Sequence, residues 1–281
     1  MRFVLLALSS LAIALLLAGF WMLFNEDRYI FFPDRQIAIT PAQLGLAYQE
    51  LQLRTDDGIR LQAWWIPAPH AVATLLHFHG NAGNIGHRLP LYREWQRLGL
   101  NVLAVEYRGY GNSEGTPSEP GLYRDAEAAW RYLTGVRHIP PDRIIIAGRS
   151  LGAAVACHLA RGKEPAGVAL ETPFTSIPDM ARYHYPWLPV WPLIRNRFAA
   201  VDMVRDVRAP LLVIGATDDG IAPPTMTEQV FGAASQPKQW VELRGGHNDF
   251  DEQSHAEWQA AWRQWLASLP APEAAAAGQG S

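Results

Sequence analysis

Five residues, Gly148-Arg149-Ser150-Leu151-Gly152, constrain this chain more than any other stretch. Ile144 to Ala147 precede them, apolar and rich in β-branched side chains, and the small residues Ala153 to Ala160 follow. The pattern predicts a strand, a sharp turn and a helix, with Ser150 at the turn. Such a turn holds its central residue in strained backbone and lifts the hydroxyl clear of a sheet. Glycines on both sides leave room where a side chain would strike the neighbouring strand or helix. Ser150 then stands at a helix N-terminus, where N–H groups and the dipole favour a developing negative charge. Two glycines and a serine also coincide by chance. The pattern gains meaning only beside an acid, a histidine and a second N–H donor, in the chain order serine, acid, histidine.

The chain offers each of these. Gln239 to Leu243 reads as the last strand, and Arg244-Gly245-Gly246-His247-Asn248-Asp249 follows it. The two glycines let that loop bend, so that His247 reaches Ser150 as general base. The acid belongs after the preceding strand, Pro210 to Ala216, where Asp218 and Asp219 stand side by side. The turn Asp219-Gly220-Ile221-Ala222-Pro223 favours Asp219. Counting from Gly215 favours Asp218, which stays open as the alternative acid. The unused Asp would be a turn or cap residue. The oxyanion donors are expected to be the backbone N–H groups of Leu151 and of Asn81, the latter in the loop after the strand Thr74 to Phe78. His79 is expected to brace that loop. His77 and His79 would share one face of the strand, but no further ligand follows at tight spacing, so neither a metal site nor a cofactor is expected.

Residues 3–24 carry no charge, and only Ser9 and Ser10 are polar. At about 1.5 Å per residue this run crosses a hydrocarbon core of ~30 Å. It is too long for the apolar part of a cleaved signal, and Leu17-Ala18-Gly19 before Phe20 and Trp21 is a poor cleavage site. We therefore divide the chain into a transmembrane anchor over 1–26, a catalytic domain over 27–269 and a disordered Ala/Gly-rich tail over 270–281. A cleaved signal peptide is the alternative. Trp21, Phe24, Tyr29, Phe31 and Phe32 suit an interfacial belt. Arg2 before the span and Glu26 and Asp27 after it place the N-terminus in the cytoplasm and the domain outside it, at the periplasmic face of the inner membrane in a bacterium.

In the remainder, an opening hairpin (48–66) is followed by strands alternating with helices, including helices at 89–98, 121–137 and 252–269. That order predicts a mostly parallel sheet with helices on both faces and the site at the carboxyl ends of its strands. Trp258, Trp262 and Trp265 recur at helical spacing and should face the core. Residues 176–202 read as a cap over Ser150, with Tyr183, His184, Tyr185, Trp187, Trp191 and Phe198 among prolines 178, 186, 189 and 192. These aromatics suit an apolar acyl chain, or equally a cap packed on its own body. Arg182, Arg195 and Arg197 would face lipid headgroups or water. A net charge of −3 gives no nucleic-acid signature. The single cysteine, Cys157, excludes an internal disulfide and reads as a small buried hydrophobe.

The stretches HGNAGNIGHR, EYRGYGNSEG, GRSLG and ETPFTS, the Asp218/Asp219 turn and GGH together resemble the α/β-hydrolases. More closely they resemble the Bem46-like branch, whose members often carry a membrane anchor followed by Phe-Pro-x-Arg, here Phe32 to Arg35. The resemblance runs from about Tyr29 to Trp265. It implies the α/β-hydrolase fold, an eight-stranded and mostly parallel sheet with a short cap, and a Ser150/Asp/His247 triad. Relatives include membrane-associated serine hydrolases that remove acyl groups from proteins or lipids. One departure is Glu106, where Asp is common; it lies outside the triad. The leading expectation is a membrane-anchored serine esterase or thioesterase that forms an acyl-enzyme on a small-molecule or lipid-like acyl substrate. A peptidase of the same fold and a non-catalytic membrane-bound interaction protein are the alternatives.

Overall fold

The structure, a computed structural model, describes residues 2–187 and 191–271. Pro189 of the expected cap and residues 272–281 of the expected tail fall outside them. The first helix, α1 (Arg2–Phe24), is long and apolar enough to cross a membrane. Its side chains, Phe3, Leu6, Leu17 and Phe20 among them, stand exposed along its length. Trp21, Phe24, Tyr29 and Phe32 are exposed at its end. Phe31 is not part of that belt: it is buried and meets Phe198 edge-on at 6.0 Å.

The sheet consists of β1 (Gln49–Arg54), β2 (Arg60–Ile66), β3 (Ala73–Phe78), β4 (Leu100–Val105), β5 (Ile144–Arg149), β6 (Gly167–Glu171), β7 (Leu211–Ala216) and β8 (Lys238–Leu243). Its order is β1-β2-β4-β3-β5-β6-β7-β8. β2 runs antiparallel to β1 and β4; the other neighbours are parallel. Parallel strands need crossovers, and helices supply them. They are α2 (Leu89–Arg97), α3 (Glu119–Arg131), α4 (Leu151–Ala160), α5 (Ile177–His184) and α6 (Pro224–Ala233), while α7 (His255–Ser268) follows the last strand.

Strand side chains alternate between two cores. Ile144, Ile146 and Val213 face Leu122, Val155 and Val230 of α3, α4 and α6. Ile145, Leu212 and Ile214 face Trp95 of α2 and Trp258, Trp262 and Trp265 of α7. The central strands are buried on both sides, which is why they read as unbroken apolar runs. Cys157 lies inside the first core, and burial pushes its thiol up to about 12, so it is an inert filler.

Some elements differ from the sequence reading. α3 begins at Glu119 because the Ser118 hydroxyl accepts the Gly121 N–H, and past Arg131 it widens into a π turn, Tyr132–Val136. The last helix is broken after the short helix Phe250–Gln253 and restarts at His255. α6 is an addition to the expected helices: Pro224 opens it at a position that needs no N–H partner.

The parallel register brings the carboxyl ends of β3, β5, β7 and β8 to one edge, where Asn81, Ser150, Asp219 and His247 follow them. Phe78 of β3 pairs with Gly148 of β5. A Cβ on Gly148 would lie 2.0 Å from the Gly152 carbonyl oxygen, and one on Gly152 would lie 2.0 Å from that of Phe78. Both obstacles are backbone, so neither can swing aside. Gly152→Ala is expected to cost about 3 kcal/mol, the upper range for overpacking, and so to lower Tm by about 6–12 °C. Gly232→Ala, where a Cβ meets nothing within 4 Å, should instead gain about 0.5–1 kcal/mol as a helical Gly replacement. Thermal denaturation of the two variants checks both.

Candidate active site

The turn from β5 into α4 forces Ser150 to φ 53° and ψ −116°, a conformation that few non-glycine residues adopt. Its N–H donates to the Glu171 carbonyl at 2.9 Å, and its own carbonyl accepts the Ala153 N–H at 2.9 Å. Between these anchors the half-buried Ser150 Oγ lies 2.8 Å from His247 Nε2. His247 Nδ1 lies 2.6 Å from Asp219 Oδ2, and both of these side chains are buried. A carboxylate only accepts, so the Nδ1 side carries the proton and Nε2 is left to accept the Ser150 hydroxyl.

The structure brings Asp219, not Asp218, to His247. Asp219 Oδ1 accepts the N–H groups of Ile221 and Ala222 at 2.9 and 2.8 Å, which aims Oδ2 at the ring. The exposed Asp218 carboxylate instead accepts the Thr217 hydroxyl at 2.9 Å. Its backbone still matters: the Asp218 N–H donates to the Gly245 carbonyl at 2.9 Å and ties the acid turn to the histidine loop. Gly245 has φ 126°, and a Cβ there would lie 2.6 Å from Phe250 Cα, so only glycine fits the bend.

Ser150, Leu151 and Asn81 border one cavity. Leu151 is the first residue of α4, and a helix's first N–H groups have no acceptor within the helix. Asn81 also borders the cavity over Ser150. Its loop is pinned from several directions. The Asn81 carbonyl accepts the Phe32 N–H at 2.9 Å and the Tyr110 hydroxyl at 2.7 Å, and its side-chain amide donates to the Ile30 carbonyl at 3.0 Å. Phe32–Pro33 pairs in parallel with Ala82–Gly83. The Phe-Pro-x-Arg stretch therefore holds this loop.

His79 and Glu106 form the deepest brace, both with wholly buried side chains. His79 Nδ1 donates to the Gly80 carbonyl at 2.7 Å, and Nε2 lies 3.0 Å from Glu106 Oε1. Glu106 Oε2 accepts the Ile85 N–H at 3.0 Å. A carbonyl at one ring nitrogen and a carboxyl at the other hold the ring from both sides. His77 and His79 do not share a face. His77 packs on Tyr92 and Trp95 at 5.5 and 4.8 Å, toward α2. His79 lies past the strand end, against Tyr107 and Tyr110 on the other side.

Below the turn, Arg149 crosses to the opposite face. Its guanidinium binds Glu171 Oε2 at 2.9 and 2.7 Å and Asp251 Oδ1 at 3.0 Å, over the Phe250 ring. Glu171 Oε1 accepts the indole N–H groups of Trp258 and Trp262. Sequence reasoning passed over Glu106, Arg149 and Glu171 as members of the site's support. The one available signal was charge inside otherwise apolar strand ends.

Over Ser150 lies an apolar cavity of about 380 Å³, walled by Phe174, Ile177, Met180 and Ile221 among others. The family described as serine aminopeptidase, S33, matches residues 69–201. The Bem46 protein of Schizosaccharomyces pombe is 33% identical over 249 residues, covering 82% of each chain. The α/β-hydrolase domain-containing protein WAV2 of Arabidopsis thaliana is 35% identical over 234 residues, covering 75% of this chain and 76% of that one. This chain belongs to the Bem46-like α/β-hydrolases. A Pyrococcus furiosus esterase shares the fold, with a TM-score of 0.70 at 20% identity over 85% of this chain and 98% of that one.

In this Bem46-like chain, removing one half of the His79–Glu106 pair strands the other in a dry site. Glu106→Ala is expected to cost about 3–5 kcal/mol. It should appear as a lower urea midpoint at unchanged slope.

Proposed function

We propose that this hydrolase is a membrane-anchored serine enzyme that cleaves carboxylic esters or thioesters through Ser150, His247 and Asp219. The observation that carries the reading is the continuous line Asp219–His247–Ser150, at 2.6 and 2.8 Å, ending under an apolar cavity. As Ser150 Oγ attacks the acyl carbon, His247 Nε2 takes the hydroxyl proton, and Asp219 stabilises the imidazolium. The carbonyl oxygen becomes an oxyanion held by the Leu151 and Asn81 N–H groups. On collapse the bond to the leaving group breaks, and His247 gives its proton to the departing alcohol or thiol. The acyl group is left on Ser150. Water then attacks this acyl-enzyme while His247 takes a proton from it. The second collapse releases the carboxylic acid, and the proton returns to Ser150 Oγ.

The description of the matching family raises a peptidase reading. An aminopeptidase needs a carboxylate free to receive the substrate's ammonium. Among the described residues lining the cavity, the one carboxylate is Glu26. Its oxygens are taken by the N–H groups of Arg195 and Asn196 and by the Asn196 side-chain amide. An ester or thioester with an apolar acyl part suits the cavity better.

Anchoring is supported by α1, whose exposed apolar side chains need hydrocarbon around them. The charges flanking it support a cytoplasmic N-terminus with the hydrolase domain on the far side. After alkaline carbonate washing the chain should stay in the membrane pellet. Protease added to spheroplasts, whose outer membrane has been opened, should digest the domain; protection there would reverse the assigned side.

A fluorophosphonate probe should label the wild type and not Ser150→Ala. Equal labelling of both would refute the reading. On a p-nitrophenyl ester, Asp219→Asn should lower kcat by about 10⁴, the loss known for the wrong histidine tautomer. Asp218→Asn should change it by less than about threefold, as for a solvent-facing group outside the hydrogen-bonded line.

A further inference from the structure

The cavity over Ser150 is not closed by the hydrolase domain alone. Met22 and Leu23, from the last turn of α1, line it together with Ser150 and Leu151, and so do Tyr29 and Phe32 just beyond the helix. The helix that needs hydrocarbon around it thus lends two side chains to the space above the nucleophile.

This contact is fastened by polar groups. Glu26, only 5% exposed, accepts the backbone N–H of Arg195 at 3.1 Å and that of Asn196 at 3.1 Å, and the Asn196 amide at 2.6 Å. The Arg195 guanidinium reaches the Leu23 carbonyl, one of the unpaired acceptors at the end of α1, at 3.4 Å. Asn196 Oδ1 in turn accepts the Glu119 N–H at 2.8 Å, where α3 begins. The Glu119 carboxylate accepts the N–H groups of Arg197 and Phe198. The linkage runs from the anchor through the cap into the core, so the cavity keeps a fixed place relative to the end of α1.

The rim has the character of a membrane boundary. Tyr185 lines the cavity and packs against Trp187 at 6.5 Å. Tyr183, Trp187 and Leu193 are exposed beside Arg182 and Arg195. Exposed aromatics with basic side chains suit the level of lipid headgroups. Glu26, the one acidic side chain among the described lining residues, already accepts three N–H donors, so it is not free to receive a substrate cation.

We infer that the last turn of α1 is one wall of the acyl-binding subsite, with Met22 and Leu23 setting acyl-chain preference. The acyl chain enters this subsite from the bilayer rather than from water. The inference rests on the ester-hydrolase reading above and adds the substrate's class and route: an ester or thioester of a long acyl chain that is dissolved in the membrane. Met22 and Leu23 are specificity residues of the anchor itself, a segment otherwise taken as a tether.

The test uses the full chain reconstituted in phosphatidylcholine vesicles, with p-nitrophenyl acetate and p-nitrophenyl dodecanoate as substrates. Leu23→Trp, which narrows the wall, should lower the dodecanoate-to-acetate ratio of kcat/KM by about tenfold or more, the scale on which a filled apolar pocket discriminates. Met22→Ala, which widens it, should move the preference toward the hexadecanoate ester. Leu8→Trp, an exposed position of α1 away from the cavity, should leave the ratio within about twofold, since it touches no substrate group. Fluorophosphonate labelling of each variant checks that Ser150 is intact. Dodecanoate turnover should follow the ester's mole fraction in the bilayer, not its bulk concentration. If Ser150-dependent turnover persists but Leu23→Trp and Met22→Ala leave chain preference unmoved, the inference is wrong and the hydrolase reading stands. Turnover that tracks bulk concentration at constant mole fraction overturns the route. If the wild type shows no Ser150-dependent turnover of either ester, both readings fall together.

Discussion

The contact on which the rest of the site depends is the approach of α4 to β3, where the Phe78 carbonyl occupies the space a side chain at position 152 would need. Because nothing but hydrogen stands there, the helix comes flush against the strand. The Leu151 N–H then lies beside the loop that carries Asn81. A wider separation would leave Ser150 on its turn but would part Leu151 from Asn81, the two proposed oxyanion donors. Placement of N–H groups by packing costs no reorganisation when charge appears, which is the most economical form of electrostatic assistance.

Buried charges stand on both sides of that contact and hold it rigid. His79 and Glu106 tie the Asn81 loop to the end of β4. Arg149 and Glu171 tie the strand that leads into Ser150 to α7. Such pairs contribute little net stability against well-packed apolar residues, but each is costly to break from one side. Their value here is geometric: loops that would otherwise drift are fixed by groups that have no second arrangement available.

The parts of this molecule that were readable from its residues are those encoded locally. The glycine-flanked turn, the two-glycine histidine loop and the alternation of apolar runs each sit within a few positions, and their order along the chain matches the edge on which they meet. Asp218 and Asp219 stayed unresolved because adjacent residues differ only in direction, and the N–H groups of Ile221 and Ala222 that select Asp219 belong to a turn conformation invisible in one dimension. His77 and His79 were misjudged because strand alternation was carried one residue past the strand's end. Glu106 resembled a harmless departure since its partner, His79, follows a different strand. The Glu26–Asn196 linkage lay furthest from view: its halves are separated by most of the domain, and each alone reads as an exposed polar residue.

The clasp between Glu26 and the cap also bears on what is left if the N-terminal segment is cut away. A chain clipped after Phe31 still carries Ser150, His247 and Asp219 but loses Glu26, the side chains of Met22 and Leu23, and the Ile30 carbonyl that holds Asn81. The buried Asn196 amide is left without its carboxylate, and the cleft over the nucleophile becomes a trough open to water on one flank. Trimming this chain therefore changes the shape of the cavity over Ser150, and kinetics measured on the trimmed form would describe a different vessel from that of the full chain.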